Sequence, residues 1–177
     1  MRIEVGQPAK NFKVEDIYGN LVIVDDYTGQ KLLLAFFRHA AYPLCNLRVH
    51  QLIQSYPFLQ VRGLSILAFF EYSKENILRY VGQQHAPFPI VADPERRIYK
   101  LYGVESSWLG TLRGLLRLSD FSNAASKGLL FFNPHNDVAL IPADFLIGAD
   151  LVIQTAYYGK DIGDHLPIEE IYRFVKL

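Results

Sequence analysis

Two apolar runs, Lys31–Phe37 and Leu64–Phe70, constrain this chain more than any other feature. Each is the length of one strand and neither alternates polar with apolar, so both read as strands buried on two faces. Between them Pro43 opens a helix, because a proline in the first helical turn lacks only an N–H that would have no partner there. Cys45, Val49, Leu52, Ile53 and Tyr56 follow at helical spacing, and Pro57 reads as the stop.

The flanking segments extend this pattern. Residues 12–14 and 21–24 read as short strands around the turn Ile17-Tyr18-Gly19-Asn20, and 25–30 as a second turn. Residues 73–84 form an expected helix with Ser73 as N-cap, 88–91 a short strand ending at Asp93-Pro94, and 95–102 a short helix. Late in the chain 144–147 and 151–156 pair around Gly148-Ala149-Asp150, and 167–175 is the closing helix. Strands alternating with helices, then a hairpin and a last helix, specify an α/β sandwich with a mixed sheet.

At 177 residues, with no repeat and no Gly/Ser/Pro-rich linker, one domain spanning 1–177 is expected. Lysine plus arginine number 18 and aspartate plus glutamate 18, so no basic footprint for nucleic acid exists. The apolar runs fall far short of the roughly 20 residues that span a bilayer, and the N-terminus lacks a signal-peptide core. A single cysteine suits a reducing compartment, so a cytoplasmic location is expected. The five histidines are scattered and no Gly-rich phosphate loop follows a strand, so neither metal nor cofactor is expected.

Chemistry concentrates at Cys45. A thiol in the first turn of a helix meets unpaired backbone N–H groups and the positive end of the helix dipole, both of which favour the nucleophilic thiolate. Arg38, His39 and Arg48 flank it, and Arg48, three residues on, is expected to share its face. His39 could act as a base, orient Arg38 or brace its loop. An alternative remains: Cys45 lies on the stripe of Val49 and Leu52 and could be a buried, inert residue.

The stretch Phe37-Arg38-His39-Ala40-Ala41-Tyr42-Pro43-Leu44-Cys45-Asn46-Leu47-Arg48 resembles the active-site segment of peroxiredoxin-like proteins of the alkyl hydroperoxide reductase / thiol-specific antioxidant (AhpC/TSA) family. Gly6-Gln7-Pro8-Ala9 with Asp26-Tyr27-Thr28-Gly29-Gln30, Asp93-Pro94-Glu95-Arg96-Arg97-Ile98-Tyr99 with Tyr102-Gly103-Val104, and Gly163-Asp164-His165 agree in order and spacing. The resemblance implies a thioredoxin-like, peroxiredoxin-type sandwich: a central mixed sheet flanked by helices, an N-terminal β-hairpin and a helical insertion at about 105–140. That insertion carries Trp108, Leu109, Leu112, Leu115, Leu116 and Leu118 on a helix whose apolar face could lie on a membrane or hold a partner, and is expected rather to pack on the domain's own core or on a dimer mate.

The resemblance further implies a peroxide substrate and catalytic roles for Cys45, Arg38, Tyr42 and Arg48. His39, Pro43 and Pro142 would line the substrate pocket. With no second cysteine, the reductant would be an external thiol: thioredoxin, glutaredoxin or glutathione. A homodimer is a further expectation, with no nucleic-acid or membrane partner. Three departures bear on activity. Tyr42 replaces the first cysteine of the subgroup's Cys-x-x-Cys pair, Arg38 replaces the family's proline, and the family's arginine is absent from Ile141-Pro142-Ala143-Asp144-Phe145. Pro142 could be the cis-proline that thioredoxin-type sites set beside their thiol, or an ordinary strand-start proline. Loss of function leaves a second reading, a peroxiredoxin-like scaffold that senses or binds.

Overall fold

The computed structural model describes residues 2–104, 122, 125–127 and 140–176. Its strands are β1 (Lys13–Glu15), β2 (Leu21–Ile23), β3 (Lys31–Phe37), β4 (Leu64–Phe70), β5 (Ile90–Ala92), β6 (Ala143–Ile147) and β7 (Ile153–Tyr158). Its helices are α1 (Pro43–Gln60), α2 (Lys74–Arg79), α3 (Arg97–Leu101) and α4 (Ile168–Lys176). The main sheet runs β5-β4-β3-β6-β7, parallel through β5, β4 and β3 and antiparallel through β6 and β7, and β1 and β2 form a separate hairpin. The helical insertion lies outside the described residues except for 122 and 125–127.

The two apolar runs are the two central strands, and their sequences explain their register. Pairing Lys31 with Leu64 sets Phe36 beside Phe69 and Phe37 beside Phe70. Successive side chains point to opposite faces, so one phenylalanine pair stacks on each side, with centroids 4.8 and 4.7 Å apart. Leu33, Ala35 and Phe37 pack with Cys45, Val49 and Leu52 of α1 and Ile171 of α4. Leu32, Leu34 and Phe36 pack on the other side with Tyr99 and Tyr102 around α3.

Two helix boundaries differ from expectation. α1 does not stop at Pro57 but runs through it to Gln60. Proline forfeits one hydrogen bond and crowds the preceding turn, yet Tyr56 and Leu59 on either side of it are both buried in the core. That packing holds the last turn in place. The stop is Gly63, at φ +76°, whose N–H donates to the Gln60 carbonyl at 2.9 Å. The expected helix 73–84 keeps its cap, Ser73 Oγ accepting from the Asn76 N–H. It breaks at Tyr80 and continues only as a 3-10 turn over Val81–Gln84.

Candidate active site

The parallel strands end at the same edge of the sheet, and β3 releases the chain there into the loop 38–42 that feeds α1. Tyr42 is the N-cap residue, Pro43 the first helical residue, and Cys45 lies in the first turn as expected. Pro43 is buried in that turn and serves as its start. Buried Asn46 fixes the loop: its Nδ2 donates to the Ala40 carbonyl at 2.6 Å and to the Tyr42 carbonyl at 3.0 Å. Gln84 holds Asn46 in turn, donating to both its carbonyl oxygens at 3.1 Å. From below, Tyr99 Oη donates to the Phe37 and Phe69 carbonyls, tying the ends of β3 and β4 together.

Cys45 is only 1 % exposed. That burial pushes its thiol above the ordinary value, while hydrogen bonds from the backbone of His39 and Arg38 and the Arg38 cation pull the other way. Desolvation wins, so at neutral pH the resting residue is a thiol. Arg38 is itself buried, 4 % exposed, with its guanidinium 4.9 Å from the centre of the Tyr42 ring. Its Nε and Nη1 have no hydrogen-bond partner among the described residues. Tyr42 is pushed up to about 12, by burial first and by the neighbouring thiol second, against the opposing pull of Arg38. Its hydroxyl therefore stays protonated at any physiological pH.

The other expected site residues divide. His39 is buried with its ring 3.9 Å from that of Tyr72, and its backbone supports the thiol. Pro142 precedes β6, whose Ala143 pairs with Phe36, so it lies at the sheet edge from which the 38–42 loop departs. The described residues contain no cis peptide bond, so Pro142 is a trans strand-start proline whose carbonyl accepts from Gly159 N–H at 2.9 Å. Arg48 turns away from Cys45: Nη2 donates to the Leu166 carbonyl and Nη1 to Gln51 Oε1, both at 2.7 Å.

Asp144 and His165 form a buried pair that the sequence reading did not single out for function. Asp144 Oδ2 lies 2.9 Å from His165 Nδ1 and accepts from the Leu166 N–H at 2.7 Å. Burial raises the Asp144 carboxyl, but His165, Arg48 and the Leu166 N–H together hold it below its usual value. The signal available was a lone carboxylate inside the apolar run Ala143-Asp144-Phe145-Leu146-Ile147. Among the described residues there is no His/Cys/Asp/Glu group suited to a metal, and no helix long and apolar enough to cross a membrane.

The sequence profile of the AhpC/TSA family matches residues 5–156. The chain is 26 % identical over 146 residues to peroxiredoxin Bcp of Escherichia coli, covering 78 % of this chain and 94 % of that one. It is 28 % identical over 104 residues to the thiol-disulfide oxidoreductase ResA of Bacillus thuringiensis, covering 58 % and 60 %. Among solved structures, PrxQ of Xylella fastidiosa in a cysteine-to-serine variant superposes with a TM-score of 0.71 at 15 % identity, over 99 % of this chain and 95 % of that one. A cysteine-to-serine variant of peroxiredoxin 6 of Arenicola marina gives 0.73 at 17 % identity, over 98 % and 72 %. The thioredoxin-like, peroxiredoxin-type sandwich is therefore the fold of this chain.

Proposed function

The chain belongs to the AhpC/TSA family of thiol-dependent peroxidases and oxidoreductases, and on that premise we propose that Cys45 is the peroxidatic residue of a one-cysteine mechanism acting on hydrogen peroxide or an alkyl hydroperoxide. The observation that carries the reading is the buried Arg38 guanidinium, with two nitrogens, Nε and Nη1, unpartnered among the described residues, beside a thiol at a helix N-terminus. Such donors stabilise charge only when an oxygen arrives to take them, which is the property a transition-state site needs.

The Cys45 thiolate attacks the distal peroxide oxygen, an S–O bond forms and the O–O bond breaks. The departing alkoxide takes up the proton given by the thiol, leaving Cys45 sulfenic acid and an alcohol, or water from hydrogen peroxide. Arg38 holds the developing oxygen charge and Tyr42 offers a protonated hydroxyl at the mouth of the helix. An external thiol then returns the sulfenic acid to thiol, because the chain has no other cysteine. A reducing, cytoplasmic compartment supplies that thiol.

The test is stoichiometric hydrogen peroxide on reduced protein, followed by a sulfenic-acid trap and the intact mass over time. Rapid labelling at one site, absent in Cys45→Ser, is expected. Labelling no faster than a free small thiol overturns the reading. A second reading, a sensor or binding scaffold of peroxiredoxin-like descent, is favoured by one observation, the raised and sealed thiol itself. The same experiment separates the two.

A further inference from the structure

From Phe37 to Asn46, the run that ends β3 and begins α1, every residue is buried except one, Tyr42. It stands at the N-cap, three residues before Cys45, and its side chain packs against the core cluster that holds Cys45, Ala40 and Ala41. The ring centre lies 4.9 Å from the Arg38 guanidinium carbon. The hydroxyl oxygen is enclosed, and both the thiol and the Arg38 cation act on it. A tyrosine at a surface usually buries its ring and keeps its polar tip wet. Here the tip points inward to the reactive pair, so Tyr42 closes the site from outside with its less polar part.

The backbone of Tyr42 is pinned, which leaves the side chain as the part that moves. Its N–H donates to the His39 carbonyl at 3.1 Å, and its own carbonyl accepts from the Asn46 N–H and from Asn46 Nδ2, each at 3.0 Å. Pro43 behind it restricts the backbone to extended angles, and its φ −84° and ψ 130° are such angles. An N-cap residue has no preceding helical turn to exclude a rotamer, so the three staggered χ1 wells stay open to it on the backbone side. Opposing influences hold the closed well. The ring over the guanidinium gains a cation–π contact and apolar burial. In that position it also keeps Arg38 Nε and Nη1 buried, and neither has a partner among the described residues. Buried donors without acceptors cost free energy, which water returns once the ring leaves. The balance between closed and open is therefore a narrow one.

We propose that Tyr42 is the lid of Cys45 and decides which oxidants reach it: rotation about χ1 lifts the ring from Arg38, bares the two guanidinium nitrogens and opens the first turn to solvent. The opening is no wider than the side chain that left. A small oxidant passes at partial rotation, and a bulky one waits for the rarer full rotation. The lid's part in turnover rests on the peroxidatic reading of Cys45; its control of access to the thiol does not.

The test is a ratio of rates from which the thiolate fraction cancels. Iodoacetamide and iodoacetanilide react at the same carbon and differ by a phenyl ring. Their rate ratio on the reduced full chain, divided by the ratio on N-acetylcysteine, therefore reads access alone. On this scale iodoacetanilide is expected to lag by about tenfold or more in the wild type, full rotation being the rarer state. Tyr42→Ala is expected to bring the ratio within about threefold of the free thiol and to raise both rates. Tyr42→Phe, which keeps the ring, is expected to hold the wild-type ratio. Side-chain rotation exposes little surface, so the wild-type rates are expected to stay constant in urea below the unfolding transition. Rates that rise with urea along the slope of global unfolding overturn the lid, even where Tyr42→Ala fails to fold. An unchanged ratio in a folded Tyr42→Ala overturns it as well. For oxidation, the rate of sulfenic acid formation from tert-butyl hydroperoxide relative to hydrogen peroxide is expected to rise about tenfold in Tyr42→Ala; no rise overturns the lid's part in selecting the oxidant. A chain that forms no sulfenic acid fails the peroxidatic reading instead, and the alkylation ratio still reports on the lid.

Discussion

Arg38 is the side chain on which reactivity at Cys45 turns. Its cation and the backbone hydrogen bonds are the influences that offset burial of the thiol. Replacing it with methionine keeps volume and removes charge, so the thiol value rises further. At neutral pH the alkylation rate is expected to fall about tenfold, since one pKa unit is a factor of ten in thiolate. Arg38→Lys recovers part of it, and iodoacetamide rates against pH check both; an unchanged profile in Arg38→Met would remove the cation from the account. The positions of Cys45 in the first helical turn and of Arg38 in the loop before it were legible because strand, loop, proline and helix are read in chain order. Arg48 was misplaced because three helical residues turn the chain through about 300°. That offset carries it from the sheet-facing stripe of Cys45 to the edge facing α4, where it meets Leu166 across 118 residues of sequence. Nothing local announces such a partner.

At the level of elements, the structure leans on a few polar contacts placed under the reactive turn. Tyr99, fully buried, satisfies two carbonyls at the ends of β3 and β4. Tyr99→Phe strips both of a donor at little cost in shape, and is expected to destabilise by about 1–3 kcal/mol, read from urea midpoints at constant slope. α3 that positions Tyr99 is only five residues long, and Asp93 makes it possible, its carboxylate accepting from the Arg97, Ile98 and Tyr99 N–H groups. The sequence marked Asp93-Pro94 as the end of a strand but carried no sign of that cap. Continuous apolar strands were placed without error because burial on two faces is a strong pattern. α2 was overextended because its polar residues fit a helix or a 3-10 turn equally well, and the chain's return toward β5 decides between them.

For the molecule as a whole, groups that ionise unfavourably outnumber those that gain. Cys45, Tyr99 and Tyr102 are raised above their ordinary values chiefly by burial, and so are Tyr42 and Tyr157, each to about 12. A raised folded value means stability that is complete below the unfolded value and lost above it. Decline is therefore expected from about pH 8.5, where a free cysteine titrates, and steeply beyond about pH 10, where tyrosine does. Asp144 is lowered, so its contribution holds above about pH 4 and disappears as the pH falls through its folded value. Urea midpoints across pH 3–11.5 would show both limbs; a flat profile above pH 9 would contradict the alkaline one. The thiol's enclosure has one more consequence, for kinetics. A nucleophile walled in by its own helix meets oxidant only during brief openings of the first turn, so the interval between openings acts as a clock. At high peroxide the observed rate should level off, and hydrogen peroxide and a bulkier hydroperoxide should share one plateau set by the protein.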